Sequence, residues 1–155
     1  NSRCRQIVEI QQGSKTVLQD RTIYEDAHIF APNLHEMGLM TRRDFENYFS
    51  LFEIMMSTIQ PPDLIIYLRA SIPTLVKHIQ QRGRNYEGNM SLDYLKRLNQ
   101  RYEDWVNQYR QSPLAIINVD ELDLMNRPEH LAEVIDAVNA NVHGLFKPGD
   151  SLPSI

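Results

Sequence analysis

Asp20, Arg21 and Thr22 stand in a row behind the short apolar run of residues 16–18, and Asp26 and Phe30 follow on the next segment. Ligands of an open parallel sheet gather beyond the carboxyl ends of its strands. An acid and an arginine side by side at such an end suit Mg²⁺ and a phosphoryl group in transfer. The metal wants hard oxygen ligands, some of them water, and a guanidinium neutralises charge on the phosphoryl oxygens. A salt-bridged strand terminus would use the same residues. The same rule marks Arg69, behind residues 63–68, and Asp120 with Glu121, behind residues 115–119.

Arg82 and Arg84 flank Gly83 in a polar stretch, residues 81–89, ahead of a helix that Ser91 can cap. Such a cationic flap could close over a triphosphate, exclude water and stabilise transferred charge. A solvated loop with incidental charge has the same composition. Arg3 and Asp26 form a third candidate. If they meet, they present donors and an acceptor to a nucleobase edge. The carboxylate accepts from an exocyclic amine and repels a carbonyl in its place, which favours adenine or cytosine over thymine. If they do not meet, they are surface charges. His28, His35, His78, His130 and His143 have no metal-ligand spacing and Cys4 adds none, so no zinc site is expected.

These residues need elements to position them. Residues 1–12 read as a helix ended by Gly13, and residues 16–18 as a short buried strand. Residues 24–37 read as a helix closed by Gly38. Thr41, with Asp44 three positions on, opens another, which carries Phe45, Tyr48, Phe49, Phe52, Met55, Met56 and Ile59 until Pro61-Pro62 stops it. That aromatic and methionine stripe belongs to a core or a subunit interface. Residues 63–68 form a near-continuous apolar run, typical of a strand buried on both faces. Residues 73–81 are helical. The long helix after Ser91 sets Leu95, Leu98, Tyr102, Trp105 and Tyr109 on one face. Residues 115–119 are the last strand and 128–142 the last helix, with a frayed tail from 146 to 155. Strands alternating with helices imply an α/β fold with a parallel sheet.

The 155 residues suffice for one domain, and 42% hydrophobic with 23% charged content is ordinary for a globular chain. A net charge of −4 and a pI near 5.7 argue against polymeric nucleic acid as the partner. The single cysteine suits a reducing, cytoplasmic compartment, and no apolar run approaches membrane-spanning length.

Taken together, DRTIYEDAHIFA at 20–31 and RGRNYEGNMSLDYLKRLNQRYEDW at 82–105, joined by DLIIYLRAS at 63–71, resemble the deoxynucleoside kinase family, especially its bacterial deoxyadenosine/deoxyguanosine branch. The resemblance implies a P-loop kinase-type parallel sheet flanked by helices, over residues 1–145 with a lid at about 81–91. It implies ATP and Mg²⁺ as cofactors, a small-molecule deoxynucleoside as substrate, and a homodimer. By the same resemblance Asp20 helps hold Mg²⁺ and Arg21 contacts the 5′-hydroxyl and phosphoryl region. Arg3 and Asp26 read the base and Phe30 packs against it. Arg82 and Arg84 are the lid arginines for the ATP phosphates, Glu87 bonds the sugar 3′-hydroxyl, and Tyr94 belongs to the packing of the lid helix. Asp20 and Thr22 stand where many animal relatives carry Glu and Ser, Ala27 where they often carry arginine, and Tyr86 where the lid has an acid.

The family's phosphate loop, of the form GxxGxGK[ST], and its general-base glutamate match nothing in these residues. The expectation is a carboxyl-terminal part of a longer polypeptide, lacking the central first strand and inactive by itself; a nucleoside monophosphate kinase, or a non-catalytic kinase-like subunit, would share the architecture. An intact mass of 18.1 kDa, or turnover by these residues alone, would count against it.

Overall fold

Thr22 starts the helical segment that organises the chain's first unit. Its backbone is extended, its hydroxyl accepts a hydrogen bond from the Tyr24 N–H at 3.1 Å, and its own N–H donates to the Glu25 carboxylate at 2.8 Å. This capping box satisfies donors that a helix start leaves orphaned. The helix begins as α2 (Ile23–Glu25), widens into a π-helical turn (Asp26–Phe30), and resumes as α3 (Ala31–Glu36). Pro32 supplies a physical cause for the widening. It has no N–H to offer the carbonyl four residues back and its ring crowds that carbonyl. A turn in which the Ala31 N–H reaches the Asp26 carbonyl relieves both. Gly38, at φ 72°, then takes the left-handed conformation that lets the Leu39 N–H reach back to the Leu34 carbonyl at 2.9 Å.

The computed structural model describes residues 2–83 and 91–143, and these fall into two compact units. The first holds residues 2–61 and 91–108. Around the π turn pack α4 (Arg42–Met56), capped by Thr41 as its spacing predicts, and α6 (Leu92–Gln108), whose Tyr94 N–H donates to Ser91 Oγ at 3.1 Å. Helix α1 (Ser2–Gln12) is tied to the chain just after α4, since the Gln11 side chain donates to the Gln60 carbonyl at 2.7 Å. The core is aromatic. Tyr24, Phe52 and Val106 are buried with Ile23, Ala27 and Ile29. The His28 ring lies 5.4 Å from Phe52, 5.8 Å from Phe49 and 6.4 Å from Trp105. The stripe on α4 is therefore core on the side of Phe45, Phe49 and Phe52, with Phe45 stacked 5.0 Å from His35. The helix ends at Met56, short of the prolines, because Ser57 already serves as its cap.

Burial in this cluster lowers the His28 pKa from its ordinary value. A depressed imidazole gives the folded state stability above pH 6.5 that is lost as pH falls, because the unfolded chain takes up the proton first. The melting temperature is expected to fall below about pH 6.5, and His28→Phe, which keeps a ring in the cluster, to flatten that fall. A pH series of thermal unfolding for both proteins checks this.

The second unit holds residues 62–83 and 109–143, where β1 (Ile65–Arg69) and β2 (Leu114–Asn118) pair in parallel from Ile65↔Leu114 to Arg69↔Asn118. Helix α5 (Ile72–Arg82) follows β1, and α7 (Pro128–His143) packs on β2. The α/β class and the parallel sheet match the expectation. Two details differ from it. Residues 16–18 form no strand and pair with nothing among the described residues, and Leu18 is 88% exposed. A strand exists only through the neighbour it bonds to, and a lone one leaves its polar backbone to water. Strand β1 is also not buried on both faces, for Ile65 is buried while Leu68 is exposed.

Asp120, singled out by its place after a strand, caps a helix. Its carboxylate accepts from the Ser71 N–H at 2.8 Å, at the start of α5, and that bond, with those from the Thr74 and Ser71 hydroxyls, holds its carboxyl below the usual range.

Candidate active site

The geometry assembles from α1, the capping box and the π turn. Arg3 on α1 approaches Asp26 with Nε 3.3 Å from Oδ2, and the same guanidinium donates to the Thr22 carbonyl at 3.4 Å. Both side chains are about a third exposed (35% and 36%), so their polar edges remain open to a ligand. The sequence offered two possibilities, meeting or separate surface charges, and the structure brings the two residues together.

Asp26 and Phe30 bound the π turn. The turn carries more residues per revolution than an α-helix. Above Phe30 lies Arg21, whose guanidinium carbon is 5.1 Å from the ring centroid. Among the described residues other than glycine, Arg21 alone has positive φ, 63°. That conformation costs an L-residue about 1–2 kcal/mol. Strain of this kind persists where the surroundings hold it, and it clusters at ligand sites. Asp20 is exposed and has no hydrogen-bond or ion-pair partner among the described residues, whereas Glu25 is engaged in the capping box and Asp26 by Arg3. The donor set fits Mg²⁺, which takes one or two carboxylates together with substrate phosphates and water rather than an all-protein cage.

Two tyrosines complete the surroundings; the sequence puts Tyr48 in the stripe assigned to a core or a subunit interface and Tyr102 on the apolar face of the helix after Ser91. Burial raises the Tyr48 phenol, with Asp26 adding to the shift and Arg3 opposing it. Tyr102 on α6 is pushed up to about 12, first by burial and next by the Glu25 carboxylate, with Arg21 opposing and Asp26 and Asp20 adding. A raised phenol keeps its proton in the folded state, so the associated stability is present below pH 10 and is lost as pH rises toward 12. A difference absorbance titration of wild type against Tyr102→Phe is expected to isolate one phenolate that forms only near pH 12. A difference signal centred near 10 would show that neither burial nor the neighbouring carboxylates hold this phenol up.

Arg82 is the last residue of α5, in the second unit, so it is helical and not part of a loop. Gly83 ends the helix there with φ 62°, donating its N–H to the Ile79 carbonyl at 3.2 Å. Arg84 and Glu87 lie outside the described residues, as does most of the expected lid. Arg69, at the end of β1, stacks its guanidinium 5.9 Å from the Tyr67 ring.

The deoxynucleoside kinase family model matches residues 1–143. This chain belongs to the deoxynucleoside kinase family. Similar relatives include the deoxyadenosine/deoxycytidine kinase of Bacillus subtilis, 34% identical over 81% of this chain and 59% of that protein. The deoxyguanosine kinase of Lactobacillus johnsonii is 36% identical over 95% of this chain and 69% of its own length. The deoxyadenosine kinase of Dictyostelium discoideum is 38% identical over 88% and 55%. The chain thus spans between about half and two thirds of these deoxynucleoside kinases. Among solved structures, deoxyadenosine kinase from M. mycoides with bound dATP superposes with a TM-score of 0.66, at 23% identity over 88% of this chain and 70% of that one. The same enzyme with dCMP and dCDP bound gives 0.74, at 24% identity over 90% and 69%. At these identities the likeness establishes the fold, a P-loop kinase-type α/β architecture.

Proposed function

We propose that the full gene product containing this chain transfers the γ-phosphoryl group of ATP to the 5′-hydroxyl of a deoxynucleoside, with deoxyadenosine or deoxyguanosine preferred. The observation that carries the reading is the Arg3–Asp26 pair, with Asp26 on the same π turn as Phe30, over whose ring the Arg21 guanidinium lies. Asp26 accepts from an amine on the base while Arg3 fixes the carboxylate and offers its remaining N–H groups to ring nitrogens. Phe30 packs against the base. Arg21 steadies the 5′-hydroxyl and the phosphoryl oxygens, and Asp20 helps hold Mg²⁺, which when bound neutralises charge on those oxygens. Arg82 and Arg84 hold the ATP phosphates from the lid, and Glu87 bonds the 3′-hydroxyl. Rate enhancement comes mainly from positioning and charge stabilisation.

Residues 1–145 act as part of one kinase domain in a cytoplasmic homodimer. Leu51 and Ile54, exposed on the outer side of α4, support an intersubunit role for that helix. A competition assay tests the substrate class, with ATP and equal concentrations of deoxyadenosine and its 5′-monophosphate. Product from the nucleoside supports the proposal. Product from the monophosphate alone would assign a nucleoside monophosphate kinase.

A further inference from the structure

Phe30 and Arg21 have been given separate tasks, yet here they occupy each other. The guanidinium sits 5.1 Å from the centre of the ring, within the range of a cation–π contact. Phe30 is half-buried and Arg21 is exposed, and the guanidinium lies over one face of the ring. A flat nucleobase stacking on Phe30 needs the same surface, and two planar groups cannot both lie in van der Waals contact with one ring face. Arg21 is led there by its positive-φ backbone immediately before the Thr22 cap. Because the capping box fixes Thr22, the arginine has little freedom except through its side chain.

We propose that the Arg21 guanidinium is a placeholder on Phe30, exchanged for the base when substrate binds, so that Arg21 becomes available to the phosphoryl region only after a base has arrived. This rests on the proposed role of Phe30 and deepens it, since it couples base recognition to assembly of the charge-stabilising group. Such coupling gives specificity through assembly. A ligand that stacks poorly leaves Arg21 parked on the ring. A purine, with the larger face, displaces it most effectively.

The test uses the full gene product and 2′,5′-dideoxyadenosine, a probe without the 5′-hydroxyl that Arg21 would otherwise hold. By calorimetry, Arg21→Ala is expected to bind the probe about two- to fivefold more tightly than wild type, the factor that corresponds to an exposed cation–π contact. That gain is expected to vanish when Phe30→Leu is the background. A second readout needs no ligand. The Arg21 Nε–H proton should resonate upfield through the ring current of Phe30, and lose that shift in Phe30→Leu. Unchanged or weaker probe binding by Arg21→Ala, or an Arg21 resonance indifferent to Phe30→Leu, overturns the exchange and leaves the kinase reading standing. If neither the probe nor any natural deoxynucleoside binds wild type, the kinase reading falls and the exchange falls with it.

Discussion

Asp20→Ala in the full gene product is expected to lower kcat for deoxyadenosine about 10²- to 10³-fold, the usual effect of deleting one group that manages charge in a transition state. The fold should barely register the change. Asp20 is exposed and has no partner among the described residues, and surface substitutions of that kind shift stability by only about 0.5 kcal/mol either way. This contrast separates the two readings of an acid beside an arginine. A magnesium ligand loses rate without stability, and raising Mg²⁺ recovers part of the rate. A salt-bridged terminus loses stability in step with rate. Steady-state kinetics over a Mg²⁺ series, with thermal unfolding of the same samples, decides between them.

Asp26→Ala carries the second large effect, and it falls on selectivity. Losing a charged acceptor from a base-reading site costs about 1.5–3 kcal/mol, or roughly 10- to 100-fold in kcat/KM for deoxyadenosine. Thymidine, whose carbonyl the carboxylate repels, should lose little or improve, so the ratio between the two substrates moves toward one. Arg3 keeps its bond to the Thr22 carbonyl in the variant and stays near its place. With both side chains about a third exposed, solvent screening limits the accompanying loss of stability. An unchanged substrate ranking would remove Asp26 from base recognition, whatever happened to the absolute rates.

Much of this was legible in the sequence because it rested on local chemistry. The Thr41 and Ser91 caps, the helix stops at Gly13 and Gly38, and the strands near 65 and 115 each follow from a few neighbouring residues. The Arg3–Asp26 contact was legible only through family resemblance, since no periodicity tells a helix at the amino end which later carboxylate it will meet. The strand expected at residues 16–18 did not form, because a strand is a property of two segments and the local run describes one. Asp120 looked like a site residue by its position after β2. Its partner, Ser71, is distant in sequence, so the capping role could not be read locally. The π turn has no side-chain signature beyond Pro32, and the raised Tyr102 phenol depends on how α6 packs against that turn.

The most direct test of the account is an ATP/Mg²⁺ phosphorylation assay on the full gene product with deoxyadenosine, deoxyguanosine, deoxycytidine and thymidine run side by side. The account predicts turnover of a purine deoxynucleoside with little thymidine activity. Silence with all four, in a protein that is folded and binds ATP, would contradict it.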